Sequence, residues 1–244
     1  MDPVVAIVAA VAGYLLGSIS FARLVARRVD RSVDVTFIVT EVGEGVTFTS
    51  DAVSATSVRM KLGKRYGLLV ALLDMAKVAI PVLLLRLLYP DEPYLYIAAA
   101  AGVAGHNWPI YHRFKGGRGE SAIMGALLVI DPVGLILMLT LGMVIGFLAG
   151  NILVLEWTGF ILMVPWLWLT TGDPAAVAFM VAVLAMWAIA MLPELRQYAA
   201  MVSLPNPPTN EQVVQEYGMS ARLGRAMDRY SIPALVKRAR SGAG

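Results

Sequence analysis

The feature that most constrains this sequence is a series of apolar segments, each about as long as a helix needs to cross a bilayer. A transmembrane helix requires about 20 predominantly apolar residues to span a hydrocarbon core of about 30 Å. With 58% hydrophobic and 15% charged residues, against about 25% charged in a soluble domain, the chain carries more apolar surface than a soluble fold can cover. We therefore expect an all-α integral membrane protein. The predicted spans are Pro3 to Leu24, Leu68 to Leu88, Tyr94 to Tyr111, Pro132 to Gly150, Ile152 to Thr171 and Pro174 to Leu192.

The distribution of positive charge decides whether a seventh, shorter segment also crosses. Ser121 to Ile130 is apolar but only about half as long as a span requires. If it crosses and the N-terminus lies outside, all 20 Lys and Arg residues except Lys77 and Arg86 are cytoplasmic or at the cytoplasmic boundary, as the positive-inside rule demands. Six crossings would place the basic C-terminal tail outside. The sequence thus predicts a bundle of about seven transmembrane helices in the plasma membrane, with the C-terminus cytoplasmic.

The spans divide the chain into a membrane domain and a tail. Residues 1–192 are expected to form the seven-span domain, with cytoplasmic loops at 25–66 and 112–119, and residues 193–244 a cytoplasmic basic tail. An unstructured loop as long as the first would be unusual, so we expect it to be functional. The tail from Thr209 to Lys237 has the pattern of an amphipathic helix pair. Contact with anionic lipid and a fully solvated tail are both compatible with that pattern.

Composition excludes several kinds of chemistry. The chain has no cysteine, which rules out disulfides, thiol nucleophiles and zinc–cysteine sites. No Gly-x-Ser-x-Gly elbow is present either, so a covalent acyl-enzyme has little support. The net charge of +3 gives no argument for a nucleic-acid partner. We predict no cofactor and no metal site, and the sequence does not define an oligomeric state.

A basic, glycine-rich loop directly precedes the short apolar segment. In Lys115–Gly119 the sequence is Lys-Gly-Gly-Arg-Gly. Glycines let successive backbone N–H groups turn toward one anion, and the helix that follows adds partial positive charge. The spacing excludes a Walker A loop. The pattern favours a phosphate site, although a loop that serves only topology has the same composition.

Ionisable residues also lie within the predicted spans and at their ends. His106 lies at the cytoplasmic end of the third span, just before Pro109 would disturb the helix. An ionisable residue at that depth is a functional candidate, as a hydrogen-bond donor or a base, unless it is merely bonded to a neighbouring carbonyl. We interpret His112 as interfacial. Asp74 and Lys77, three residues apart, are expected to pair inside the bundle rather than act in catalysis.

Four stretches, which follow one another along the chain in the same order as in the family, resemble signatures of the PlsY-type acyl-phosphate:glycerol-3-phosphate acyltransferases. The segment from Gly105 to Gly119 is similar to the second signature of the family, GHxxPxFxxFKGGKG. Gly17–Ala22 resembles GSIPFG at the end of the first span. Ser54–Ser57 with Leu62–Gly67 is similar to GATN and LGKKYG, and Leu73–Lys77 to LDxxKG. Seven spans with an outside N-terminus are the arrangement that this family would imply.

The chain departs from the family in two signatures. In the first, SGNxGATNxxR, Ser50 is kept, but Asp51 replaces a glycine and the arginine position holds Met60, with Arg59 beside it. The third, HRxNIxRLxxGxE, is not recognisable from Pro193 to Met201. These departures bear on activity and substrate more than on fold.

The resemblance implies transfer of a fatty acyl group from acyl phosphate to the sn-1 hydroxyl of glycerol 3-phosphate, giving lysophosphatidic acid for phospholipid synthesis. The expected partners are these two substrates and membrane lipids. The alternative is a catalytically degenerate relative that binds, senses or moves a phospholipid or anionic metabolite. The candidate catalytic residues are His106, Asn107 and Ser50; those proposed to bind phosphate are Lys115, Gly116, Gly117, Arg118, Gly119, Thr56, Ser57 and Arg59.

Overall fold

The computed structural model describes residues 1–42, 47–216 and 220–241, and most of these residues lie in helices. A two-stranded sheet and one 3-10 turn, Ile110–His112, complete the regular structure of this part. The helices are α1 Pro3–Gly17, α2 Phe21–Val29, α3 Ala55–Leu62, α4 Lys64–Leu88, α5 Tyr94–Asn107, α6 Glu120–Ile130, α7 Pro132–Ala149, α8 Ile152–Thr171, α9 Pro174–Val202, α10 Asn210–Glu216, α11 Ala221–Tyr230 and α12 Ile232–Ser241; the strands are β1 Ile38–Glu41 and β2 Thr47–Ser50.

Five segments of the described chain are helical, long and apolar enough to cross a membrane. They are Pro3–Val29, which contains α1 and α2, together with α4, α7, α8 and α9. This confirms a multi-pass helical membrane protein. The helices α5 and α6 have 14 and 11 residues and are therefore about 21 and 16 Å long, shorter than the hydrocarbon core. Seven crossings and the orientation of the termini stay predictions.

The third predicted span, Tyr94 to Tyr111, is shorter in the structure. Helix α5 ends at Asn107, because Pro109 disfavours the helical conformation at Trp108, whose ψ is 69°, and cannot donate a backbone hydrogen bond. A 3-10 turn follows, and the backbone then takes the left-handed conformation at Arg113 and Phe114. The chain thus reverses abruptly and enters the glycine-rich loop.

Small residues bring α1 and α5 together. A Cβ atom on Gly13 or Gly17 would overlap the backbone of Ala98 or Gly102 respectively. One on Gly105 would overlap the carbonyl oxygen of Tyr14. Helices approach this closely in membranes when glycine and alanine line the contact, as in small-xxx-small motifs. This packing fixes the C-terminal end of α5, where His106 and Asn107 lie, against the end of α1.

The chain forms two compact units. The first contains Met1–Ile38, Ser50–Pro132 and Val164–Pro193; the second contains Val39–Thr49, Val133–Met163 and Glu194–Gly244. In the second unit, α9 continues past Leu192, and the Gln197 amide accepts a hydrogen bond from the Thr49 N–H (2.8 Å) and donates one to the Thr49 carbonyl (2.8 Å). Residues Pro193 to Met201, in which the third signature is not recognisable, therefore include a side chain that is hydrogen-bonded to β2.

Candidate functional site

The glycine-rich loop lies tightly against the end of α5. The Gly117 N–H donates a 3.1 Å hydrogen bond to the His106 carbonyl. A Cβ on Gly116 would overlap that carbonyl oxygen, and one on Gly117 would overlap Nε2 of the imidazole. Gly119 has a φ of +99°, and its Cβ would lie 2.8 Å from Oδ1 of Asn107. Only glycines at these three positions let the backbone pass so close to the two polar side chains.

The two polar residues under the loop are almost completely buried. His106 is 6% and Asn107 is 3% exposed. In the described part of the chain, no hydrogen bond reaches the side-chain amide of Asn107 or Nδ1 of His106. A buried polar group without a partner is costly, so such groups in a native protein require an explanation. A polar ligand bound at the loop would supply hydrogen-bond partners for these groups and is one such explanation.

A buried ion pair lies beside the imidazole. Lys77 Nζ is 2.7 Å from Oδ1 of Asp74 and donates a second hydrogen bond, of 2.8 Å, to the carbonyl of Ile19 in the break between α1 and α2. The same Asp74 oxygen lies 3.7 Å from Nδ1 of His106, which places the imidazole next to the pair without a hydrogen bond. This confirms the expected pairing inside the bundle. An ammonium has three donors, so one is left for a ligand.

These groups line a small pocket that encloses about 190 Å³ of empty space, including space open to solvent. Its wall combines backbone and hydroxyl groups from the α1–α2 break with the ion pair, the imidazole and the first two loop glycines. The lining residues are Gly17, Ser18, Ile19, Ser20, Val53, Asp74, Lys77, His106, Pro109, Gly116 and Gly117. The structure therefore adds the α1–α2 break and Lys77 to the predicted site. The short match at Gly17–Ala22 was the sequence signal for the first of these.

The segment between α2 and α3 contacts the glycine-rich loop. The Val53 N–H donates a 2.9 Å hydrogen bond to the Gly116 carbonyl. Arg118 Nη2 lies 2.6 Å from Oδ1 of Asp51, so one of the two loop cations is paired with an acidic side chain. The two stretches predicted separately from sequence therefore belong to one site.

The remaining predicted residues lie around the start of α3. The Ser57 hydroxyl donates to the Ser54 carbonyl (2.9 Å) and accepts from the Ser54 N–H (3.1 Å), which caps α3. The Ser50 hydroxyl accepts from the Ala52 N–H (3.2 Å). Thr56 lies in the first turn of α3, and Arg59 packs at Gly67 of α4. None of these four residues lines the pocket described above, so their roles toward a phosphate stay predictions.

Positive charge surrounds the mouth of the site. Arg23 Nη2 donates a 2.9 Å hydrogen bond to the Lys115 carbonyl, which fastens the start of the loop to α2, while the Lys115 side chain is exposed. Burial, followed by the charges of Arg23 and Arg27, lowers the pKa of His112. His112 is therefore neutral at physiological pH and adds no charge. Among the described residues, no cluster of three or more His, Asp or Glu side chains is arranged to hold a metal ion.

Comparisons with known proteins agree with the resemblance. The sequence model of the glycerol-3-phosphate acyltransferase family matches residues 7–195. A glycerol-3-phosphate acyltransferase of Myxococcus xanthus is 40% identical over 121 residues, which cover 49% of this chain and 57% of the relative. The chain thus spans little more than half the length of that protein. One from Halalkalibacterium halodurans is 32% identical over 188 residues, covering 72% of this chain and 84% of the relative.

The fold also has a match among solved structures. The crystal structure of PlsY, an integral membrane glycerol 3-phosphate acyltransferase, in its glycerol 3-phosphate form superimposes with a TM-score of 0.66 and 26% identity, covering 80% of this chain and 92% of PlsY. The family match covers all residues that line the pocket and ends at residue 195, near the start of the predicted tail. The chain therefore belongs to the glycerol-3-phosphate acyltransferase family.

Proposed function

We propose that this protein transfers a fatty acyl group from an acyl phosphate to the sn-1 hydroxyl of glycerol 3-phosphate, giving lysophosphatidic acid. The observation that carries the proposal is the glycine-rich loop over His106 and Asn107, beside the ammonium of Lys77, in a chain of this family. Two substrates with phosphate groups need several donors and cations in one place. This pocket offers polar backbone groups, hydroxyls and an ammonium that Asp74 holds in place.

The reaction requires little covalent chemistry from the protein. The sn-1 hydroxyl oxygen attacks the acyl carbonyl carbon, the bond from that carbon to the phosphate oxygen breaks, and inorganic phosphate leaves with the hydroxyl proton. Because an acyl phosphate is already activated, the site can catalyse the transfer by positioning the two substrates and stabilising the charge that develops. We assign phosphate binding to Lys115, to Lys77 and to the loop N–H groups other than that of Gly117, which donates to the His106 carbonyl. His106 and Asn107 orient the reacting groups.

The proposal is tested with detergent-purified protein, acyl phosphate and radiolabelled glycerol 3-phosphate. We expect His106→Ala to lower kcat/KM roughly a hundredfold, as removal of a preorganised polar group in an active site does. Lys115→Ala should raise the KM for a phosphate-bearing substrate about tenfold, since one charge-assisted contact contributes about 1.5 kcal/mol or more. Lys237→Ala, in the tail outside the family match, is the matched control. Transfer near the wild-type rate in both site variants would contradict the proposal.

The pairing of Arg118 with Asp51 supports a second candidate, a relative that binds an anionic lipid or metabolite without turnover. In that case a loop cation serves the protein itself rather than a substrate. The same preparation distinguishes the two: wild-type protein that binds glycerol 3-phosphate in equilibrium dialysis but forms no lysophosphatidic acid is a binding protein. Formation of the product establishes the enzyme.

A further inference from the structure

Helix α12 exposes an apolar face that the described part of the chain leaves uncovered. Ile232, Leu235 and Val236 are 56%, 50% and 44% exposed, and no residue of the helix is buried. At 3.6 residues per turn these three side chains and Ala239 lie on one side of the helix. A continuous apolar stripe of this kind on an exposed helix indicates a contact surface.

All charged residues on the rest of the helix circumference are positive. Lys237, Arg238 and Arg240 flank and oppose the apolar stripe, and α12 contains no acidic residue. A helix with one apolar side and a cationic remainder is typical of segments that lie in the interface of a membrane. Such helices bury the apolar side about 5–10 Å deep and place their charges among the lipid head groups.

The start of α12 packs against the turn between α7 and α8. Ser231, between α11 and α12, is 3% exposed, and a Cβ on Gly150 would lie 2.7 Å from its hydroxyl oxygen. Gly150 is in the short turn between α7 and α8, both of which are long and apolar enough to span the bilayer. Met227 of α11 is fully buried in a cluster with Ile152, the first residue of α8. The helix therefore begins at the level of the membrane surface.

We propose that α12 lies in the membrane interface, with its apolar stripe among the lipid chains and its cations against anionic head groups. The position of α12 at the level of the membrane surface and its three positive charges together favour lipid, rather than another protein, as the partner of the apolar stripe. A second copy of α12 would bring two sets of three positive charges together, which costs free energy. This inference concerns the tail beyond the family match and does not depend on the proposed activity.

The absence of cysteine allows a direct test in the full-length protein. Val236→Cys on the stripe and Lys237→Cys beside it are each labelled with an environment-sensitive fluorophore and reconstituted in nanodiscs. One set of discs contains phosphatidylcholine alone and the other adds phosphatidylglycerol. In anionic discs we expect quenching of the probe at 236 by lipid-attached nitroxides and protection from aqueous iodide. The probe at 237 should be more accessible to iodide. Ala239→Cys provides a second position on the stripe.

Replacing the three cations separates lipid charge from other causes of burial. In the Val236→Cys background, Lys237, Arg238 and Arg240 are changed to Gln. Three interfacial cations correspond to a roughly hundredfold change in partition constant, so the response to phosphatidylglycerol should disappear. Free access of iodide to position 236 in both discs would overturn the proposal. So would a probe that iodide and lipid nitroxides both fail to reach, because another protein surface would then cover the stripe.

Discussion

At the scale of single residues, the most informative contact is the ion pair between Asp51 and Arg118. The Asp51 side chain is 58% exposed and the Arg118 side chain is 17% exposed. Nη2 of Arg118 lies 2.6 Å from Oδ1 of Asp51. Under the proposed function, an acidic side chain at this position competes with an incoming phosphate for one of the two loop cations. Exposed pairs of this kind contribute about 0.2–1 kcal/mol.

Asp51→Asn should therefore strengthen binding of the anionic substrate. We expect its KM to fall about two- to fivefold at low ionic strength, with a smaller effect in high salt, which screens the competing charge. Steady-state kinetics at two salt concentrations measure this. Asp30→Asn, which changes the net charge equally but lies in the exposed turn with Ser32, is the control. A KM for Asp51→Asn that is unchanged or raised contradicts the idea of competition.

The roles of single residues stay predictions, because several of the predicted side chains also make contacts within the protein. The spacing in Lys115–Gly119 predicted a tight backbone over polar groups, and the structure has that backbone against His106 and Asn107. The same reasoning treated Ser57 as a donor to phosphate, whereas its hydroxyl caps α3. A hydroxyl near the start of a helix can either cap the helix or donate a hydrogen bond to a ligand. Only the three-dimensional structure shows which acceptor the hydroxyl contacts.

At the scale of elements, the contact between α1 and α5 holds the site together. Gly17 meets Gly102 backbone to backbone, and the Tyr14 hydroxyl donates a 2.8 Å hydrogen bond to the Trp108 carbonyl just beyond α5. Any side chain at Gly17 pushes the end of α5 away from the α1–α2 break. Because the pocket is lined by both, packing and ligand binding are coupled here.

Gly17→Ala should accordingly lower stability and activity together. Overpacking a tight contact costs about 1–3 kcal/mol, since backbone atoms have no rotamer by which to move aside. We expect a lower midpoint of thermal unfolding in detergent and weaker binding of glycerol 3-phosphate. Val11→Ala removes methyl groups from an exposed position on the same helix and is the matched control. Equal midpoints for the two variants would contradict the packing argument.

Helix bounds were predictable where apolar length alone decides them and not where proline does. The spans predicted for α7 and α8 agree with the structure to within one residue, because turn residues mark their ends. The third span was overestimated, since the apolar pattern continues to Tyr111 while Pro109 ends the helix. The break at Ser18–Ser20 was also missed. Its sequence is compatible with a continuous helix, and only the packed structure shows Lys77 reaching the Ile19 carbonyl.

At the scale of the whole molecule, the prediction that remains is orientation. Sequence predicts Asp91, Asp131 and Asp173 outside and the basic loops and tail inside, which requires that α5 and α6 both cross although each is shorter than the hydrocarbon core. Hydropathy cannot settle such short helices. Local thinning of the bilayer allows them to cross at a modest cost.

Single-cysteine variants test this directly, since the chain has no cysteine of its own. A membrane-impermeant maleimide should label Asp91→Cys and Asp173→Cys on intact cells. Lys115→Cys and Lys237→Cys should react only after permeabilisation. Asp131→Cys, between α6 and α7, reports on α6, because it is outside only if that helix crosses. Labelling of Lys237→Cys on intact cells contradicts the seven-span arrangement.

The two hydrogen bonds of Lys77 have a consequence for the thermodynamics of ligand capture. A free lysine side chain has many rotamers, and fixing it reduces the conformational entropy by an amount worth up to about 2 kcal/mol. Here Asp74 and the Ile19 carbonyl already hold the ammonium in one position. That loss therefore occurs while the protein folds. An arriving anion therefore meets an ammonium that is already ordered, and the entropy of fixing the Lys77 side chain is not subtracted from the free energy of binding.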